Sequence, residues 1–453
     1  MLVFQELFFK KMSDKKKPDE KIKKIIAKVK LRLRPEKEIF LEVDKTVNKI
    51  NEVIRKLKIE ADCVKGGSIA KNTFLKNDCD IDLFVRFAFK YEDSKLSDML
   101  YEILIEAFSN VKILRVHGSR DYFQFRMNKY DYEIVPVIML HESNLKDARN
   151  ITDFSPLHVN WVSGKIKKNP ELSDEIRVAK QFCKANNVYG AESYIRGFSG
   201  HILDIMIIYY GSFISMVKAF ASIDKISIQN PIIIDTEKKL VNPLKQLNKN
   251  KINYLIVVDP VQPERNAAAA LSGEKLQVFI SACKKFIESP SEKFFEIKKF
   301  DLNKTVKDFK SKYKNCKIMI FKVKTLDGSK DVVGTKVYKI YLNLIKHSEL
   351  NDFKVLDSTW HFDHEKKHAI IILCYNNEKL SEVLEHMGPP LNALEDVKRF
   401  RKKYVQTKIL GNRIFAVIKR TYLCPEDLLR KLIEEKFIKT RVKKIVLEKI
   451  ISN

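Results

Sequence analysis

The spacing of apolar residues changes character three times along the chain. Residues 15–34 are lysine-rich and close on Arg32-Leu33-Arg34-Pro35. The next stretch, EKEIFLEVDKTVNKINEVIRKL, sets Ile39, Val43, Val47, Ile50, Val53, Ile54 and Leu57 three and four positions apart, which predicts an amphipathic helix. From Ala61 to Leu140 the runs become short and alternating: VKG, DIDLFVRF, VKILRVH, YFQFRM and YEIVPVIML predict strands, interrupted by one helix over KLSDMLYEILIEAF. Between Phe154 and Phe286 helical spacing returns in SDEIRVAKQFCKAN, GFSGHILDIMIIYYGSFISMVKAFASI and GEKLQVFISACKKFIES. Beyond Ser289-Pro290-Ser291 the pattern is mixed. KIMIFKVKT, KVYKIYLNLI, FKVLDSTWHF and HAIIILCYN predict strands, whereas KLSEVLEHM, NALEDVKRFRKKY and EDLLRKLIEEKF predict helices, with Gly388-Pro389-Pro390 as punctuation.

These changes divide the 453 residues into a basic N-terminal extension (1–36), a head with a small mixed sheet (37–153), a helical neck (154–289) and an α+β body and tail (290–453). The fold class predicted is α+β and multidomain. Composition adds one fact of consequence. Lys and Arg number 85 against 58 acids, a net charge of +27, which suits a polyanionic partner such as nucleic acid. Nine basic residues and no acid lie between Lys398 and Arg420. The seven cysteines are scattered and form no Cys-x-x-Cys, against a disulfide framework or zinc ribbon and in keeping with the cytoplasm. No apolar run is long enough for a membrane helix, so no membrane partner is expected. The opening MLVFQELFFKK carries Glu6 and no small-residue cleavage site, and reads as an extension or misplaced start, with Met12 the alternative initiator.

The chemistry-bearing stretch is KGGSIAKNTFLKNDCDIDLFV, residues 65–85. On a strand, Asp80 and Asp82 share one face while Ile81 and Leu83 take the other. Adjacent carboxylates repel unless water or a cation separates them, and Mg2+ is held through one or two carboxylates plus substrate phosphates. Asp-x-Asp alone fits an edge strand showing acids to water better than a metal site. Upstream, Gly66-Gly67 permits a tight turn, and Ser68 opens a helix over SIAKNTFL whose free amides suit phosphate, with Lys71 one turn on. A third carboxylate belongs on a neighbouring strand: Glu133 in YDYEIVPVIML, with Asp131 as runner-up.

GGSIAKNT followed by DIDLF resembles the signature of the polymerase-β nucleotidyltransferase superfamily. EIVPVI, SPLHVNWV, RVAKQFCKANNVYGAESYIRGFSGHILDIMIIYYGSF, VVDPVQPERNAAAALS and the later GPP are similar to successive blocks of the archaeal, class I CCA-adding enzymes (tRNA nucleotidyltransferases). The resemblance implies a polymerase-β-like catalytic head, a neck like that of poly(A) polymerase and oligoadenylate synthetase, and a tRNA-binding body and tail. It further implies CCA addition from CTP and ATP with Mg2+ as cofactor, and tRNA as partner; a homodimer stays open beside a monomer. By the same resemblance Ser68 and Lys71 bind the triphosphate, and Asp80, Asp82 and Glu133 are the catalytic metal ligands. His158, Lys180 and Tyr189 contact the incoming ATP or CTP, and Arg265 helps select its base. Lys71 stands where the family more often has arginine, and Glu133 where aspartate is usual.

Each of these has a plainer reading. His158 beside Trp161 could be a packed helical histidine, Lys180 a solvated charge, Tyr189 a helix-end aromatic, and Arg265 a partner for acids of its own helix. The joint match favours the functional ones. His364-Glu365-Lys366-Lys367-His368 matches the His-Glu-x-x-His zinc pattern, with His361 nearby, but strand-like flanks make it a hairpin tip rather than a helix. Two other functions remain open at this point: another RNA-terminal nucleotidyltransferase of the poly(A) polymerase kind, and a catalytically inactive RNA-binding protein.

Overall fold

The computed structural model describes residues 19–76 and 80–452; the expectation about residues 1–11 lies outside them. The chain forms two compact units, Met1–Lys298 and Lys299–Asn453.

The first unit holds head and neck. Residues 19–33 form a helix, α1. Ile22, Ile25, Ile26, Val29 and Leu33 recur along one face, and they are buried in the same apolar core as Ile176, Phe182 and Phe279 of the neck. For residues 19–33 this corrects the reading as an extension: lysines fill the solvent face of a helix that completes the neck, while residues 1–18 lie outside the described residues.

The head begins with α2 (Glu38–Lys56), which buries Ile39, Val43, Ile50, Val53 and Ile54. Then come β1 (Ala61–Lys65), a one-turn α3 (Gly67–Ala70), β2 (Asp80–Phe87), α4 (Leu96–Ala107), β3 (Leu114–Val116), β4 (Tyr122–Met127) and β5 (Tyr130–Ile138). The sheet order is β1-β2-β5-β4-β3. β2 and β5 run parallel, and the remaining pairs are antiparallel. Ile81, Leu83, Val85 and Phe87 of β2 point with Ile134 and Ile138 into the core that α2 and α4 cover, so the polar alternates of β2 face the opposite way.

The neck follows with α5 (Ser155–Lys168), α6 (Glu171–Ala185), α7 (Gly200–Tyr210), α8 (Phe213–Ala221), β6 (Ile232–Ile234), α9 (Pro243–Gln246), β7 (Leu255–Val257) and α10 (Gly273–Glu288). The long apolar run 197–223 is two helices meeting at 92°, because Gly211 takes a left-handed φ of 75° that ends α7. Among the described residues no single helix is long and apolar enough to cross a membrane. The parallel pair β6–β7 was not anticipated.

The second unit runs α11 (Leu302–Lys312), β8 (Cys316–Thr325), α12 (Lys330–Leu350), β9 (Val355–Asp363), β10 (His368–Asn376), β11 (Val383–Pro390), α13 (Leu394–Lys403), β12 (Thr407–Leu410), β13 (Arg413–Lys419), α14 (Pro425–Leu432), α15 (Lys436–Lys439) and β14 (Val442–Ser452). Its sheets are β14-β8-β10-β9 and β11-β13-β12. Two expectations are overturned here. KVYKIYLNLI is not a strand but the middle of α12, whose buried Val333, Val337, Ile340 and Leu344 are spaced four, three and four apart. KLSEVLEHM is not a helix; Val383–Met387 pair with β13, and Pro389-Pro390 end an edge strand, where a missing N–H costs no ladder bond. The His-Glu-x-x-His segment is a hairpin tip: Asp363 pairs with His368 across the β9–β10 turn, and His364 Nε2 lies 3.0 Å from the Gly328 carbonyl.

Candidate active site

The site begins with strand register. Parallel pairing of β2 with β5 sets Asp82 opposite Glu133 and Asp80 opposite Asp131, and β4 sets Gln124 opposite Glu133. Asp82, Glu133 and Gln124 thus form one row across three strands, and Gln124 Nε2 donates to Glu133 Oε2 at 2.9 Å. Burial, then the negative charges of Glu133 and Asp80, push the Asp82 carboxyl up to about 7. Glu133 is raised as well, by burial and by Asp80, against the lowering influence of the Gln124 hydrogen bond. Asp131, the runner-up, is exposed and lies 3.7 Å from Arg126. The acids that share a field are therefore Asp80, Asp82 and Glu133. A hard divalent cation is the group such an oxygen set fits, because it would relieve both the repulsion and the burial cost.

The glycine turn adjoins this row. Gly66 N–H donates to the Asp82 carbonyl at 2.8 Å. Gly67 has a φ of +46°, and a Cβ placed on it would lie 1.7 Å from Asp82 Oδ2. Only glycine allows the turn carrying Ser68 to approach the carboxylate so closely. The helix expected over SIAKNTFL is a single turn, since Asn72 takes a positive φ of 53°.

Neck helices reach into that turn. Lys180 of α6 donates to the Thr73 carbonyl at 3.0 Å and to its hydroxyl at 3.1 Å, and Arg177 donates to the Asn72 carbonyl. Lys71 Nζ lies 2.5 Å from Asp204 Oδ2 on α7, and Lys180 Nζ lies 3.9 Å from Asp204 Oδ1. Burial lowers Lys180 to about 8, with Asp204 opposing that fall and Lys71 adding to it. Burial would raise Asp204, but the charges of Lys71 and Lys180 outweigh it and hold the carboxyl below its usual range. At the start of α7, a Cβ on Gly200 would come 3.2 Å from the Tyr189 hydroxyl and 3.5 Å from Lys180 Cε. The glycine thus lets Lys180 and Tyr189 converge there.

A second group gathers on Asp259. His158 Nε2 lies 2.8 and 3.0 Å from its two oxygens, and Arg265 Nη1 lies 3.3 Å from Oδ2. His201 Nε2 is 3.5 Å away. His201 and Asp204 are three apart on α7, hence on one face, which joins the two groups. The ligand atoms of His158, His201 and Asp259 lie within 4.8 Å of one another. The Arg265 guanidinium already balances that carboxylate, so the trio fits a metal ion poorly.

Structure thus brings Asp80, Asp82 and Glu133 to the Ser68 turn, Lys71 to Lys180 and Tyr189 around Asp204, and His158 to Arg265 around Asp259. Sequence reading missed Gln124, Arg177, His201, Asp204 and Asp259. Two of these carried a signal: Asp204 is the only acid in GHILDIMIIYY, and Asp259 ends the apolar run LIVV just before Pro260.

Comparison with known proteins bears on this constellation. Three family models match: a nucleotidyltransferase domain over residues 47–135, the second domain of tRNA nucleotidyltransferase over 174–296, and the C-terminal domain of the CCA-adding enzyme over 314–451. The CCA-adding enzyme of Nanoarchaeum equitans is 30% identical over 86% of this chain and 91% of its own length. The chain belongs to the CCA-adding enzyme family. The family's member from Methanocaldococcus jannaschii is 27% identical over 91% of each chain. Among solved structures, a cytoplasmic RNA terminal U-transferase matches with a TM-score of 0.49 and 13% identity, over 62% of this chain and 100% of that one. As a member of the CCA-adding enzyme family the chain is a nucleotidyltransferase, and the row of acids described above lies on strands within its matched nucleotidyltransferase domain or at that domain's edge.

Proposed function

We propose that this enzyme adds or repairs the 3′-terminal CCA of tRNA, taking CTP and ATP without a nucleic-acid template and releasing pyrophosphate, in the cytoplasm. The observation that carries the assignment of the site is the Asp82–Glu133 register pair, with Asp82 against the Gly67–Ser68 turn. In this reading Asp80, Asp82 and Glu133 hold Mg2+. When bound, the cation supplies charge neutralisation for the oxygens around the α-phosphorus. The turn at Ser68 and the ammonium groups of Lys71 and Lys180 receive the triphosphate, and Tyr189 lies beside them. His158 and Arg265 face the nucleoside end. No side chain acts as a covalent nucleophile; the RNA 3′ oxygen bonds directly to phosphorus, so positioning and electrostatics carry the rate.

In the second unit, the stretch 398–420 meets tRNA phosphates. Four of its cations are already paired with acids outside it, Lys398 with Glu395, Arg399 with Asp396, Lys408 with Glu385 and Arg420 with Asp352. Arg401, Lys402 and Lys403 at the end of α13 are then the residues best placed for phosphate. Incubating tRNA that lacks its terminal nucleotides with each NTP alone and in pairs tests the assignment. CTP alone should add only C, CTP with ATP should complete the end and stop, and UTP or GTP should add nothing. Unlimited addition of one nucleotide would replace this reading with that of a polymerising transferase.

A further inference from the structure

The Asp259 carboxylate is fully buried, which is costly for an acid unless every lone pair is met. Here it is met from several elements. His158 approaches from α5 at 2.8 Å, His201 from α7 at 3.5 Å, and Arg265 from the loop after β7 at 3.3 Å. The backbone N–H groups of Val261 and Gln262 donate to Oδ1 at 2.9 and 3.1 Å. Asp259 also fixes the Arg265 main chain, since its own N–H donates to the Arg265 carbonyl at 3.1 Å. Arg265 is 42% exposed at its side chain, and an arginine that open ordinarily samples many rotamers. Tethered at one nitrogen, it keeps further N–H donors in a set direction. His158, with Nε2 committed to the carboxylate, is left with Nδ1 as its remaining polar atom.

We infer that Asp259 is a positioning residue for nucleotide recognition, orienting His158 and Arg265 together from one buried carboxylate. This rests on the reading that those two side chains meet the incoming nucleotide. A carboxylate serving only the stability of the loop would have no reason to gather a half-exposed arginine and a histidine from a different element.

The test is steady-state CTP and ATP incorporation into truncated tRNA by the full-length chain, with thermal unfolding measured in parallel. Asp259→Asn keeps the shape and removes the charge. It should raise KM for both nucleotides about tenfold while kcat falls less than about threefold. In a chain already carrying His158→Ala and Arg265→Ala it should add almost nothing, since its effect passes through them. An unchanged KM in Asp259→Asn, beside a raised KM in Arg265→Ala, would overturn the inference and leave the nucleotide reading intact. Unchanged KM values in both His158→Ala and Arg265→Ala would overturn the two together. Should Asp259→Asn fail to fold, the His158→Ala and Arg265→Ala pair decides alone. Less-than-additive KM effects support coupling through the shared carboxylate, and full additivity refutes it.

Discussion

Two groups of acids lie in the first unit, exposed Asp80 with half-buried Asp82 and Glu133 in one and buried Asp204 and Asp259 in the other, and they are built in opposite ways. In the head, Asp80, Asp82 and Glu133 share one field, and burial and the acidic neighbours push the Asp82 carboxyl up to about 7 against the lowering charges of Lys71 and Lys180. In the neck, Asp204 and Asp259 are wholly buried. Burial alone would raise them too, yet Lys71 and Lys180 hold Asp204 below the usual carboxylate range, and His158 and His201 do the same for Asp259. Burial acts on Asp82, Glu133, Asp204 and Asp259 alike; the neighbours decide the sign. Acids whose acidic neighbours prevail are arranged to receive a cation, whereas acids whose cationic neighbours prevail serve to aim those cations.

The sharpest way to break the contrast is to delete a member of the head group. Asp82→Ala should lower CMP and AMP addition at least about a thousandfold while tRNA affinity, read by filter binding, stays within about twofold. Loss of tRNA binding instead would make the acids structural. Gly67→Ala comes next. A methyl 1.7 Å from Asp82 Oδ2 at a φ of +46° must displace either the turn or the carboxylate, so incorporation should fall about a hundredfold with tRNA binding unchanged. On the neck side, Asp204→Asn leaves Lys71 and Lys180 crowding each other without a counter-charge. KM for CTP should rise several-fold and Tm should fall by a few degrees. The smallest effect expected is on the metal-free wild type. Asp82 holds its proton in the folded chain up to about pH 7, where the unfolded chain releases it near the ordinary value of 3.8. The folded state binds more protons across that window, so stability should decline as pH rises through it. Thermal scans in chelator from pH 5 to 8 would show the slope, and added Mg2+ should flatten it.

Legibility in the sequence followed the range of the interactions involved. DIDLFVRF and YFQFRM were strands residue for residue, because alternation is a local property that the sheet merely uses. The candidate metal-binding acids are legible for the same reason: Asp80 and Asp82 share one strand face, and Glu133 is an acid embedded in an apolar strand. Errors arose where distant pairing decided. KVYKIYLNLI is rich in β-branched and aromatic residues, but its helical face is set by packing on β9 and β10. KLSEVLEHM would suit a helix, yet β13, more than twenty-five residues further on, claims it as a strand. β14 was missed altogether, its pattern being broken by two register shifts along β8. The sequence presents Lys71 as a triphosphate cation and Lys180 as a contact of the incoming nucleotide, but the carboxylate that unites them comes from another helix. No local spacing announces that Asp204 will meet a head residue 133 positions away.

Acidic neighbours and burial outweigh Lys71 and Lys180 at Asp82, whereas cations outweigh burial at Asp204 and Asp259, and this difference predicts opposite signs for one measurement. In chelator at pH 8, the Tm of Asp82→Asn should lie above that of the wild type, because a repelling charge has been neutralised. The Tm values of Asp204→Asn and Asp259→Asn should both lie below it. A lower Tm for Asp82→Asn, or a higher one for either neck variant, would contradict the account.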